Sequence, residues 1–183
     1  MGMNPTETLK HEHKIVLLVL TGAEREARSI QAGSEVHVEQ IEQMVDFFRT
    51  FVDRCHHGKE ERHLFPAMHG KGMPLEAGPL AVMLHEHELG RGAVRAVAGA
   101  LDRVKRGEAG AGPDLAAALL GYVELLRNHI SKEDNVLFPM ADRMLPTQEQ
   151  EGLAVLFDKV EEEEIGPGVH EKYHELAHRL GRT

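Results

Sequence analysis

The chain has 183 residues, with 21 basic and 30 acidic side chains for a formal charge of −9, 13 histidines, one Cys and no Trp. That length suits one ordinary domain, and an acidic balance without a basic run argues against nucleic acid as a partner. The lone Cys allows no internal disulfide and fits a reducing, cytoplasmic setting, while the longest aliphatic run, Ile15 to Leu20, is far shorter than the ~20 residues that span a bilayer.

The N-terminus, MGMNPTETLKHEH, lacks a basic stretch followed by an apolar one, so no signal peptide is expected. From there apolar residues recur at intervals of three and four, the stripe of a core-facing helix. The first stripe runs Leu9, His13, Val16, Leu20, Ala23, Ala27, Ile30. After a break at Ala32-Gly33-Ser34, with Ser34 as the expected cap, the second runs Ile41, Val45, Phe48, Val52, His56. A third follows the Gly- and Pro-rich stretch His69 to Pro74 and runs from Leu80 through Met83, His87, Gly90 and Val94 to Val104. The fourth opens near Pro113, a good first helical position, and runs from Leu115 through Tyr122, His129 and Glu133 to Met140. Four such helices with short loops predict an all-α, up-down-up-down four-helix bundle over residues 1–146.

Residues 147–183 read as short helices packed outside that bundle rather than a second domain. Thr147 and Gln150 have capping-box spacing, Glu161 to Glu164 reads as a solvated charged face, and Gly166-Pro167-Gly168 breaks the chain before a last helix bearing His170, His174 and His178.

The two halves of the bundle repeat each other. KHEHKIV at Lys10 parallels LHEHELG at Leu84, and CHHGKEERHLFPAM at Cys55 parallels NHISKEDNVLFPMA at Asn128. His56, Lys59, Glu60, Leu64, Phe65 and Pro66 stand a constant 73 positions before their counterparts, and His13 stands 74 before His87. A duplicated helix pair predicts pseudo-twofold symmetry, with the repeated residues meeting near the axis.

A helix turns ~100° per residue, so phase sorts the histidines. His13, His87 and His129 lie on the apolar stripes, whereas His11 and His85 point away. His56 lies ~40° from Val52 and His57 ~140° from it. The inward set is therefore His13, His56, Glu60, His87, His129 and Glu133, all at similar height near the end that holds both LFP segments. Two inward glutamates are expensive without partners. A dinuclear metal centre explains them: four imidazoles ligate two cations and two carboxylates bridge them. Nitrogen and oxygen donors without an inward thiolate suit iron, with Mn, Co or Zn as competitors.

The motifs HEH, HHGKEERHLFP, LHEHELGR and HISKEDNVLFP resemble those of the hemerythrin-like (HHE cation-binding) domain family over residues 6 to 145, and EEEEIGPGVHEKYHEL resembles the tail of some bacterial members. The resemblance implies a four-helix bundle with a non-haem di-iron site, bridged by carboxylate and an oxo or hydroxo group. Carried over by motif, its ligands are His13, His56 with Glu60, His87, and His129 with Glu133. The oxygen carriers of that family have five histidines, including an HxxxH pair on the third helix. Here Met83 and Arg91 flank His87 at that spacing, which weakens the case for a reversible oxygen carrier and favours reaction with O2, H2O2 or NO.

Other residues carry weaker signals. Glu12 and Glu86 are expected on a solvated surface, with orientation of an imidazole as the alternative. His57 and Glu61 form a rival pair to His56 and Glu60. Tyr122 and Cys55 read as core residues, the tail histidines as a solvated face, and Pro66 and Pro139 as the ends or kinks of their helices. Three functions fit: a di-iron protein acting on small oxidants, an iron- or oxygen-responsive sensor or interaction module, and iron handling or delivery. The sensor is disfavoured by the lack of an appended output domain.

Overall fold

The computed structural model describes residues 4–182 and, among them, contains helices and no strand. Helix α1 (Pro5–Gln31) opens on Asn4, whose side chain accepts a bond from the Thr6 N–H, with Pro5 at the first helical position. It closes where Gly33 adopts a positive φ of 92°, a conformation that favours glycine. The second helix does not begin under Ser34. Helix α2 (Val38–Phe47) starts after His37, with no side-chain cap. His37 is instead tied back to α1, its backbone N–H donating to Glu26 Oε1 at 3.0 Å.

Helix α2 continues into wider π-helical turns at Phe48–His57 and Glu60–Leu64 before ending as α3 (Phe65–Gly70). Helix α4 (Gly78–Lys105) follows, then α5 (Ala111–Lys132), which passes through a π turn at Glu133–Leu137 into α6 (Phe138–Met144). Proline lacks an N–H and its ring collides with the carbonyl four residues back. Pro66 and Pro139 sit at the start of α3 and α6, and the π turn just before each one lets the rod continue. In both, the residue before the proline donates five residues back, Phe65 to the Glu60 carbonyl and Phe138 to the Glu133 carbonyl. The prolines therefore mark a change of helical pitch at the two glutamates, not the end of the rod.

Apolar stripes bury α1 against α5 and α4 against α5 and α2. The core falls into two clusters. A larger one runs from Val16, Val52 and Ile130 away from the LFP end, and a smaller one gathers Leu9, Leu64, Phe65, Met83, Leu137 and Phe138 at it. Between them lies a buried polar layer.

The tail comprises α7 (Thr147–Lys159), a π turn at Val160–Ile165 and α8 (Val169–Arg182). The expected capping box does not form. Pro146 precedes α7 without a side-chain cap, and Gln150 donates to the Leu145 carbonyl at 2.8 Å instead. Helix α8 lies on α1 with Tyr173, Leu176, Ala177 and Leu180 buried. The approach is close: a Cβ on Gly22 would stand 2.8 Å from the Leu180 carbonyl oxygen. Tyr173 Oη donates to Asp46 Oδ2 at 2.8 Å, fastening α8 to α2. No described helix is long and apolar enough to cross a membrane.

Candidate metal centre

The buried layer holds all six residues singled out by helical phase: His13, His56, Glu60, His87, His129 and Glu133 are each at most 2% exposed. Two quartets of ligand atoms converge within it, each within 4.8 Å of one another. One is His13, His56, Glu60 and Glu133; the other is His57, Glu60, His87 and His129. His11 and His85 lie exposed on the far faces of their helices.

The donor atoms fit a cation pair. Both oxygens of Glu60 and of Glu133, and Nε2 of His87 and of His129, are buried with no hydrogen-bond partner, although buried polar atoms nearly always have one. Carboxylate and imidazole approach without bonding, at 3.5 Å for His56 Nε2 and Glu60 and 3.3 Å for His129 Nε2 and Glu133. His13 Nε2 and His56 Nε2 stand 2.9 Å apart. With both rings neutral, as metal ligation requires, and each Nδ1–H already given away, two lone pairs face each other there. Such a separation suits two nitrogens bound to one cation at about 2.0–2.1 Å each.

Each of these imidazoles does give away its Nδ1–H to a carboxylate. His13 donates to Asp134 at 2.7 Å, His56 to Glu12 at 2.8 Å, His87 to Glu61 at 2.6 Å and His129 to Glu86 at 2.9 Å. Such bonds fix the tautomer that leaves Nε2 free for metal. The four bonds pair off across the sequence: Glu12 with Glu86, and Glu61 with Asp134, occupy equivalent places in the two similar halves. Lys59 and Lys132, 73 positions apart, bond the outer oxygens of Glu12 and Glu86. Glu12 is therefore buried and Glu86 half-buried, which corrects the expectation of a solvated surface. The signal available in the sequence was the joint recurrence of Glu and Lys in both halves.

His57 is the larger correction. It is 4% exposed and its ring stacks on His87 at 3.8 Å. A uniform α-helix would turn it away from His56. Residues 48–57 are π-helical, bonded i to i+5, so each residue turns through less than 100° and both adjacent histidines face inward. Glu61 does not replace Glu60. It stays half-buried outside the layer, on His87 Nδ1.

The tail also differs from expectation. Glu161 is not simply solvated: it bonds the buried Lys59 ammonium, which also bonds Glu12. The side chain of Glu164 lies outside those described. His170 is half-buried with Nε2 3.6 Å from Glu12, and it contacts Phe51 and His174, while His178 is exposed. Glu12, Glu161 and His170 have metal-ligand spacing, but the Lys59 ammonium already serves as their cation. Tyr122 packs on Phe48 at 4.5 Å, and burial pushes both its hydroxyl and the Cys55 thiol up, the thiol to about 12. An inert buried Cys fits the expected core role.

Electrostatics in the layer are polarised. Burial and the charge of Glu133 push Glu60 well above the usual carboxylate range. Burial also opposes ionisation of Glu133, but His129 and His13 outweigh it and hold Glu133 well below that range. Burial disfavours the charged form of both neighbouring histidines. It lowers His56 to about 4, whereas the bond to Asp134 and the nearby Glu133 carboxylate overcome it at His13 and raise that ring to about 10.

Comparison with known proteins agrees with this chemistry. The profile of the hemerythrin HHE cation binding domain matches residues 4–141. The chain is 23% identical over 160 residues to the uncharacterized protein Mb2018 of Mycobacterium bovis and to the uncharacterized proteins MT2051 and Rv1995 of Mycobacterium tuberculosis. These matches cover 87% of this chain but only 62% of each relative. No solved structure matches it. With its His and Glu clusters and a match over most of its length, the chain belongs to the hemerythrin HHE cation-binding domain family.

Proposed function

We propose that this chain is a non-haem di-iron protein that binds or reacts with small oxidants, namely O2, H2O2 or NO. Residues 1–146 form a pseudo-twofold, up-down-up-down four-helix bundle and residues 147–183 a helical extension on it. The ligands include His13, His56, Glu60, His87, His129 and Glu133. The observation that carries the reading is the pair of buried quartets sharing Glu60, with carboxylate oxygens that bond nothing else. Nitrogen and oxygen donors of this kind suit iron over softer metals.

An iron pair supplies the two electrons or the Lewis acidity that reaction with a small oxidant requires. The protein's share is positioning. Glu60 and Glu133 are presented from π turns between the two halves. Asp134, Glu12, Glu61 and Glu86 hold the imidazole planes and keep the protons on Nδ1. Phe138 stacks on His13 and Phe65 on His87, closing the layer against water from the LFP end.

The test is metal analysis and an absorption spectrum of protein purified without oxygen and loaded with Fe(II). Two iron ions per chain are expected, with a charge-transfer band on oxidation that shifts with peroxide, azide or NO. Protein that stays colourless and iron-free overturns the reading. A sensor or interaction module is the second reading. It draws on one contact: Glu12 bonds His56 on one side and, through Lys59, reaches Glu161 of the tail on the other. It expects the protease sensitivity of the tail to change on iron loading, and an unchanged cleavage pattern counts against it.

A further inference from the structure

We infer that His57 is a fifth histidine ligand and that it makes the two metal positions unequal, three histidines against two. The inference rests on the di-iron reading above and adds a ligand that neither helical phase nor the repeat supplies.

Both ring nitrogens of His57 are buried without a hydrogen-bond partner. Among the histidines of the layer it is the only one with neither nitrogen bonded. One of its nitrogens belongs to the quartet with Glu60, His87 and His129. Its ring lies nearly parallel to that of His87, at 14°, so the two imidazoles enter the layer side by side. Its Nδ1 faces Asp53 Oδ1 at 3.6 Å, one turn back. Each of the other four histidines also meets a carboxylate at Nδ1, but from a different helix and at 2.6–2.9 Å. Arg91 joins the two outer carboxylates, donating to Asp53 at 2.8 Å and to Glu61 at 2.7 Å. The carboxylate partners of His57 and His87 are thus held by one guanidinium.

The repeat shows what this residue changes. The position 73 residues after His57 is Ile130, a buried aliphatic side chain with no donor atom. One cation therefore meets His13 and His56 beside Ile130, and the other meets His57, His87 and His129. The two positions then differ in donor type, two histidines and two carboxylates against three histidines and one carboxylate. A competing account starts from a cavity of about 160 Å³ lined by Asp53, His57, Gly90, Arg91 and Tyr122 among others. Water held there could satisfy His57 without any metal contact.

Three preparations decide between these accounts. Wild-type chain loaded with Co(II) is examined by paramagnetic proton NMR, counting hyperfine-shifted, exchangeable imidazole N–H signals. Five are expected, and four overturn the inference. His57→Ile, which copies Ile130, and His57→Gln, which keeps polarity should the first misfold, are loaded with Fe(II). Each is expected to bind the second iron at least tenfold more weakly, the scale on which even supporting contacts to a metal act. The unequal pair of Mössbauer doublets of the wild type should also draw together. Two irons held at wild-type affinity with unchanged doublets overturn the fifth ligand alone. Wild-type chain that binds no metal pair overturns the di-iron reading and this inference with it.

Discussion

Two lysine–glutamate–histidine chains run outward from the centre, and they differ in what covers them. In the first half Lys59 and Glu12 are fully buried, roofed by Glu161 and His170 of the tail. In the second half Lys132 is 44% exposed and Glu86 13% exposed. The residues are the same; the solvent is not. Burial raises the penalty for removing one partner of an ion pair, whereas an exposed pair contributes little. Near-identical motifs thus do one job in the buried layer, holding an imidazole by its Nδ1–H, and two different jobs for the fold.

The strongest challenge to that contrast is a pair of substitutions. Glu12→Ala leaves the Lys59 ammonium buried with only Glu161, and is expected to cost about 3–5 kcal/mol in denaturant unfolding. Glu86→Ala, where Lys132 turns to water, should cost about 1 kcal/mol. Both should weaken iron binding by about 10–100-fold, because each frees an imidazole Nδ1. Equal stability losses would show that the tail cover contributes nothing.

A smaller effect separates the tail from the centre. Gly22→Ala drives a Cβ to within 2.8 Å of the Leu180 carbonyl, and overpacking of this kind costs about 1–3 kcal/mol. Hydrogen exchange should speed up along α8 while α4 and α5 keep their protection. If α4 and α5 loosen equally, the tail is not a separate cover but part of the core.

The smallest effect lies at the loop end. His37 binds Glu26, while the equivalent places in the second half are Ala100 and Gly110. The bond to Glu26 raises His37 above its ordinary 6.5. A raised folded value stabilises below the unfolded one and fades as pH climbs through it. His37→Ala should therefore lower the melting temperature slightly in mildly acid solution and less at alkaline pH. A loss that grows with pH would contradict the sign.

Much of this was legible in residue spacing. The stripes from Leu9 to Ile30 and from Leu80 to Val104 matched helices, and the phase of His13 and His87 placed them in the buried layer. What the sequence hid was pitch. Assigning ~100° to every residue sent His57 outward, because nothing local announces a π turn except, in hindsight, a proline six residues beyond a buried glutamate in both halves. Glu12 and Glu86 were misplaced for another reason. Their burial depends on lysines from a different helix, a tertiary partnership that helix periodicity does not encode.

The wide turns before α3 and α6 also bear on how relatives are aligned. A π turn accommodates a residue that an α-helix would have no room for. Deleting one residue from the stretch between Phe48 and Leu64 would return it toward ordinary pitch, keep the downstream apolar stripe and exchange which neighbouring histidine looks inward. A one-residue gap there is thus a change of donor set rather than noise. Two chains that share the letters HxxxE can hold different atoms to the metal.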